Sequence, residues 1–429
     1  MMGALATAMA LFPATRLKPW RGRRGLLLSL LTSLGLAGCN GKIQLPYVVY
    51  LAIGTNSEQA IDAELIEETR WHLDVLERGY RQIHPESRFQ FGLYPEAMID
   101  FALSRRNRAG LGPDLIFVNG DTARRMLASG VIAPFPANSS ELRQFDPDDL
   151  ARIRNSRGEL AGLPVVLQTQ VACFNRKRLP KPPATTTELL AASAAGHPVG
   201  LSVEPYNLLW SAGSLGAMNG LEQAIAGQEP SAANTDRIEA WLAWLQNASN
   251  QQRVTFFSDQ KSAISEFLAG RLDWIPCHSI SLPRLRKQLG ANLGVTTLPS
   301  GPDGSPPSPV KRIRVLALGS SSSAAGRARA INFARFSANP LMQRALTIGS
   351  QTVLPANRFV KVPVQSSMVL EALNRANQES DQVSPIVRLL HDNDQRIAKA
   401  QAMTTELVFG EVSPQSSAQA LIHLLREKP

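Results

Sequence analysis

Asn119 and Asp121 are polar side chains placed where a ligand could reach them. They follow Leu115-Ile116-Phe117-Val118, a short apolar run that reads as a buried strand. Gly112-Pro113-Asp114 turns into that strand. Asn119-Gly120-Asp121 forms a loop that caps the next helix, Thr122 to Ser129, which Gly130 ends. Such a unit leaves Asn119 and Asp121 at the carboxyl end of the strand, the edge at which open α/β sheets bind ligands. A second candidate is Gln168. Gln168-Thr169-Gln170 interrupts an apolar strand-like run from Val165 to Phe174. The break fits side chains that meet a cleft and fits a solvent-facing alternation equally well.

The sequence carries no familiar catalytic signature. There is no Gly-x-x-x-x-Gly-Lys-Ser/Thr loop, no His-Glu-x-x-His and no Gly-x-Ser-x-Gly. His72, His84, His197, His278, His391 and His423 show no metal-ligand spacing, so neither metal nor cofactor is expected. A carboxylate pair for glycoside hydrolysis would meet only in space, so spacing neither supports nor removes it. Nothing positive argues for catalysis.

The chemistry best marked in the chain is at Cys39. Residues 1–38 hold five basic side chains (Arg16, Lys18, Arg21, Arg23, Arg24) and no acid, and an apolar run, Leu26 to Leu36, follows them. The run ends in Leu36-Ala37-Gly38-Cys39. A basic region, a short apolar region and small residues before a cut site define an export signal. Leu-Ala-Gly-Cys resembles the bacterial lipobox, in which the thiol is diacylated and the chain is cut just before it. The run is shorter than the roughly 20 residues needed to span a bilayer. The expectation is a signal peptide over 1–38, a lipid on Cys39, a tether over 39–46, and a protein held by acyl chains at the outer face of a membrane. Cys173 and Cys277 then remain, either as one disulfide or as two buried thiols.

The elements that must position these residues fill the rest of the chain. Its size calls for two domains or one two-lobed unit. The net charge of +10 falls to +5, 40 basic against 35 acidic residues, once the leader is removed. Lys311-Arg312-Ile313-Arg314 is the densest basic cluster and reads as a solvated strand face rather than a nucleic-acid patch. Val48 to Ile53 and Arg88 to Tyr94 read as strands. Ser57 to His84 reads as a helix burying Leu65, Ile66, Trp71, Leu73, Leu76 and Tyr80. Residues 234–248 form a helix with Ile238, Trp241, Leu242 and Leu245 inward. Phe256 to Gly270 reads as a helix, Arg271 to Pro276 as a short strand, and Cys277-His278-Ser279 as a loop. Ile313 to Leu318 is a strand and Ala324 to Ala338 a helix.

Taken in order, these segments resemble the extracellular solute-binding proteins of carbohydrate ABC transporters, the maltose-binding-protein-like group. The residues that carry the resemblance are Gly112 to Phe117 with Asp121, Leu127 to Pro134, Leu163-Pro164 with Phe174 to Lys177, Glu204-Pro205-Tyr206 with Trp210, and Leu298 to Gly304. The resemblance implies an α/β, two-lobed type II periplasmic-binding-protein fold with a ligand cleft between lobes. It implies lobes over 47–165 with 306–349 and over 166–305 with 350–429. It places Asp121, Gln168, Glu204, Tyr206 and Trp210 toward the ligand, with Asn119 and His278 nearby. A buried helix around Trp210, with Leu208, Leu209 and Ala212, is the alternative for that tryptophan. The implied function is capture of a sugar or glycoside for ABC permease subunits, without enzyme activity. Val118 and Gln168 stand where the maltose binder has a tryptophan and an acid, which points to a glycoside other than maltodextrin. A binder of a non-sugar solute, or a surface glycoside hydrolase, are the rival readings.

Overall fold

The computed structural model describes residues 47–56, 61–380, 386 and 395–427. The leader, Cys39 and the tether lie outside the described residues. Eleven strands are described: β1 Tyr47–Thr55, β2 Ser87–Pro95, β3 Leu115–Asn119, β4 Ile132–Ala133, β5 Leu163–Asn175, β6 Val199–Ser202, β7 Val254–Phe257, β8 Trp274–His278, β9 Leu293–Thr296, β10 Lys311–Gly319 and β11 Leu354–Pro355. They follow the order β2-β1-β3-β10-β5-β8-β6-β7, with β4 on β10 and β9 and β11 on β5.

The halves of this path meet on one strand. Residues Leu163 to Thr169 of β5 pair antiparallel with β10, and Gln170 to Phe174 pair antiparallel with β8. In the first half β1 runs parallel to β2 and β3. In the second, β6 runs parallel to β7 and β8. Twelve of the 13 residues of β5 are buried, as a strand covered on both faces requires. The described residues all fall in one compact unit. A core cluster lines the first half and continues under β5 to Ile264, Phe267, Ile275 and Leu285. A separate cluster gathers the helices Pro205–Ser214, Ala232–Ser249, Gln395–Val408 and Pro414–Arg426. Among the described residues no helix is long and apolar enough to cross a membrane.

Local chemistry explains the element boundaries. Asp62 caps the first helix, Ala63–Arg81, by accepting from the Leu65 N–H at 2.9 Å. Thr185 and Asp259 cap the helices Thr186–Ala194 and Gln260–Leu268 in the same way. Cys173 and Cys277 are joined in a disulfide between β5 and β8, with Cα atoms 5.9 Å apart and neither residue exposed.

Four expectations are corrected. Trp71 is 44% exposed and Ile66 is 40% exposed. At 3.6 residues per turn, Trp71 falls opposite the Leu65-Leu73-Leu76-Tyr80 stripe, and Ile66 falls at its edge. The helix expected from Phe256 starts only at Gln260, because Val254 to Phe257 extend the sheet beside β6. Cys277 and His278 belong to β8 rather than to a loop. The basic run of β10 needs the largest revision. Lys311 and Arg314 are 5% and 3% exposed, paired with Asp149 at 2.9 Å and with Glu96 at 2.7 Å.

Candidate ligand-binding cleft

Strand ends from both halves converge on one cavity of about 260 Å³. Asn56 follows β1, Glu96 follows β2 and Asn119 ends β3. These line it from the first half, together with Thr122 and Arg125. Glu204, Tyr206 and Asn207 lie just past β6, at the start of the helix Pro205–Ser214, and line it from the second. Arg312 of β10 and Ile397 and Gln401 of a C-terminal helix complete the wall. The carboxyl edge of parallel strands is where such sheets place ligands, because loops there are free to carry polar groups.

Glu96 and Arg314 build the first wall. The Glu96 carboxylate accepts from the Asn119 N–H at 2.6 Å and from Arg314 Nη1 at 2.7 Å. Arg314 also donates to Asn119 Oδ1 at 3.0 Å and to the carbonyls of Gly54 and Phe117, with its guanidinium 4.7 Å from the Phe117 ring centroid. Asn119 therefore occupies the cap position of the helix Gly120–Ala128 without a side-chain cap bond, since Arg314 takes its oxygen. Gly120 lets the start of this helix pack against Ile153, since a Cβ there would sit 2.4 Å from Ile153 Cγ2.

The second wall is a carboxylate with three donors. Glu204 Oε2 accepts from Asn207 Nδ2 at 2.6 Å, from the Gln260 N–H at 2.9 Å and from Ser202 Oγ at 3.2 Å. Behind it, His278 Nε2 lies 3.0 Å from Asn207 Oδ1, and Gln170 Nε2 donates to the Asn207 carbonyl at 3.1 Å. His278 is buried; burial first and the charge of Arg312 second hold its pKa well below the usual histidine value. It orients Asn207 rather than lining the cavity itself.

A second cavity of about 140 Å³ lies alongside, between the first helix and the sheet. Leu51, Leu73, Phe117, Val165 and Val353 make it largely apolar, and Gln168 and Arg314 add polar wall. Asn56 borders both cavities. Asn56 Oδ1 and Gln168 Oε1 are buried oxygens without a protein donor, so both can accept from a ligand.

Of the residues expected at the site, Asn119, Glu204 and Tyr206 share the strand-end cavity, and Gln168 faces its neighbour. Two are corrected. Asp121 is held by Arg152 at 3.3 Å, and it does not line the cavity. Arg152 in turn donates to the Lys311 carbonyl, which ties Asp121 into the buried network under β10. Trp210 is fully buried, with Trp244 and Trp274 each 6.1 Å away between ring centroids. It packs among Leu189, Val199 and Leu201, so it supports the fold and does not stack on a ligand. Asn56, Glu96, Asn207 and Arg312 were not anticipated. The strand-end argument that picks out Asn119 applies equally to Asn56 and Glu96. Arg312 was hidden by its basic neighbours.

No family model matches the sequence, and no curated relative does. Solved structures do match. The GacH receptor of Streptomyces glaucescens, solved unliganded and with acarbose, aligns at a TM-score of 0.68 and 15% identity, covering 90% of this chain and 100% of that one. The maltose/maltodextrin-binding domain MalE of Bdellovibrio bacteriovorus, bound to maltotriose, aligns at 0.64 and 13%, covering 88% and 98%. The maltose-maltodextrin binding protein of Alicyclobacillus acidocaldarius aligns at 0.64 and 17%, covering 89% and 100%. The chain thus has the two-lobed α/β fold of type II solute-binding proteins.

Proposed function

We propose that the protein captures a sugar or glycoside outside the cytoplasmic membrane and delivers it to an ABC importer, without chemistry on the ligand. The observation that carries this reading is the cavity at the strand ends, to which both halves of the sheet contribute. Sugars present hydroxyls around apolar ring faces, so a site needs amide and carboxylate groups with an aromatic platform. Asn56, Asn119, Glu204 and Asn207 supply the first, Gln168 adds to them from the neighbouring cavity, and Tyr206 supplies the second. Acarbose, maltotriose and tagatose in structures of the same fold support a saccharide ligand. In this reading residues 47–165 with 306–349 and residues 166–305 with 350–429 are lobes that close over the ligand, and closure marks the loaded form for the permease. A lipid on Cys39 keeps the protein beside its importer.

A thermal-shift and calorimetric screen of saccharides, polyols, amino acids and polyamines tests the ligand class. A ligand at 100 times its Kd adds about 2.7 kcal/mol of stability. Saccharides are expected to stabilise the wild type. Tyr206→Ala is expected to remove that response, and Glu204→Gln is expected to weaken it with some loss of ligand-free stability, because its carboxylate also holds Ser202, Asn207 and the Gln260 N–H. Stabilisation by a polyamine or amino acid alone would overturn the reading. For the anchor, Cys39→Ser is expected to release the protein into a soluble extracytoplasmic fraction; a wild-type chain that takes up no acyl label would remove it.

A further inference from the structure

We infer that the ligand carries an anionic oxygen group, a carboxylate or a phosphate on the sugar, and that Arg312 holds it. This rests on the saccharide reading and names the class of saccharide. Charged groups around the cleft are otherwise accounted for. Glu96 is paired with Arg314 at 2.7 Å. Arg125 is paired with Asp100 at 3.2 Å. Glu204 Oε2 is saturated by three donors, one of them the first N–H of the helix Gln260–Leu268. Arg312 lines the same cavity and makes no hydrogen bond or ion pair among the described residues. A guanidinium partly withdrawn from water and left without a carboxylate is costly to keep, and an incoming anion relieves that cost with a two-pronged bond.

The neighbours of Arg312 keep the position open. Its partner across the strand pair is Gln168, a neutral amide that cannot neutralise it. His278, near enough to feel its charge, is kept neutral and offers no competing cation. The remaining chemistry around it suits the sugar that would bear the anion. Asn56 and Gln168, 5% and 4% exposed, each present an oxygen without a donor, which hydroxyls satisfy. Aromatic surface is scarce: Tyr206 is the aromatic residue of the cavity, since Trp210 is spent on the core. A site short of stacking platforms and holding an unmatched cation favours charge over ring faces as the main handle.

Matched pairs of probes test this. Glucuronate, galacturonate and glucose 6-phosphate are titrated calorimetrically against glucose and galactose, with wild type, Arg312→Gln and Arg312→Lys. The expected result is that an acidic sugar binds the wild type more tightly than its neutral counterpart. Arg312→Gln then weakens that acid about 10- to 100-fold, with the ligand-free melting temperature unchanged. Arg312→Lys recovers part of the loss, since it restores charge without the planar fork. Uronates and the phosphate separate the two sources of the anion. Neutral sugars binding as tightly as the acids, with Arg312→Gln indifferent to both, would overturn the inference and leave the saccharide reading standing. No binding by any sugar, acidic or neutral, would overturn both.

Discussion

Arg312 and Arg314 stand two residues apart on β10 and so project to the same face of the sheet. Arg314 is 3% exposed and makes four hydrogen bonds, one to a carboxylate that is itself buried. Arg312 is half-buried at the cavity wall and makes none that the structure describes. Identical side chains on one strand thus do opposite work. The first ties the ends of β1, β2 and β3 into a fixed wall. The second is left available. The difference lies in what stands opposite each. Glu96 has come over from the end of β2 to meet Arg314, whereas the cross-strand neighbour of Arg312 is an amide.

The largest effect expected from this comparison is at the saturated arginine. Arg314→Met strands the Glu96 carboxylate beneath the sheet edge, and breaking a buried pair from one side costs about 3–5 kcal/mol. Denaturant unfolding is expected to show that loss as a lower midpoint. Combining Glu96→Met with Arg314→Met is expected to cost clearly less than the sum of the single changes, because no charge is then left unpaired. Additive losses would mean the pair is not a unit, and the contrast with Arg312 would fall.

That contrast was not legible in the sequence, and the reason is physical. The alternation in Lys311-Arg312-Ile313-Arg314 says which side chains share a face, and it says nothing about what covers that face. Glu96 is 218 residues away from Arg314 along the chain. A strand end is a local signal, so it points to Asn119 at the cavity, whereas Glu204 is indicated by the family resemblance alone. A buried salt bridge is a long-range event, so the local pattern at Lys311 and Arg314 looks like a solvated face. Trp210 was misplaced for the related reason that a Glu-Pro-Tyr turn locates the start of a helix and leaves its facing undetermined. Leu208, Leu209 and Ala212 around it were the local hint of a core helix. The strand and helix order was legible because hydrophobic period is a local property, and the errors there, at Trp71 and Phe256, are of face and boundary.

Trp210 gives the next effect in size. Trp210→Ala removes a fully buried ring between Trp244 and Trp274, for which about 3–5 kcal/mol of stability is expected. Any sugar that binds the wild type is expected to bind the folded variant with nearly the same affinity. Calorimetry and melting on one preparation separate these readouts. Lost affinity at unchanged stability would return Trp210 to the ligand and weaken the case that charge at Arg312 is the main handle.

A smaller effect depends on pH. His72 and His278 both have folded pKa values below the ordinary 6.5, burial being the first cause in each, so the unfolded chain takes up their protons first. Their contribution to stability is present above about 6.5 and is lost as pH falls from there toward the folded values. Melting temperature is expected to decline between pH 7 and pH 5. His278→Gln is expected to flatten that decline. An unchanged slope would show that His278 does not carry the linkage, and that the charge of Arg312 does not act on it in the way described.

The smallest expected effect is the one that sharpens the comparison most. Arg312→Met in the ligand-free protein removes a cation that bonds to nothing described, so no partner is stranded and no acceptor is orphaned. Substitutions of that kind shift stability by no more than about 0.5 kcal/mol, against the several expected at Arg314. Relief of an unmatched charge at the cavity wall pushes the sign toward stabilisation. Burial of the aliphatic stem, which methionine keeps, cancels between the two side chains. Denaturant midpoints for Arg312→Met and Arg314→Met, measured side by side, read the difference directly. A loss at Arg312 approaching that at Arg314 would mean that it too is a structural tie, and an anion in the cleft would then have no cation waiting for it.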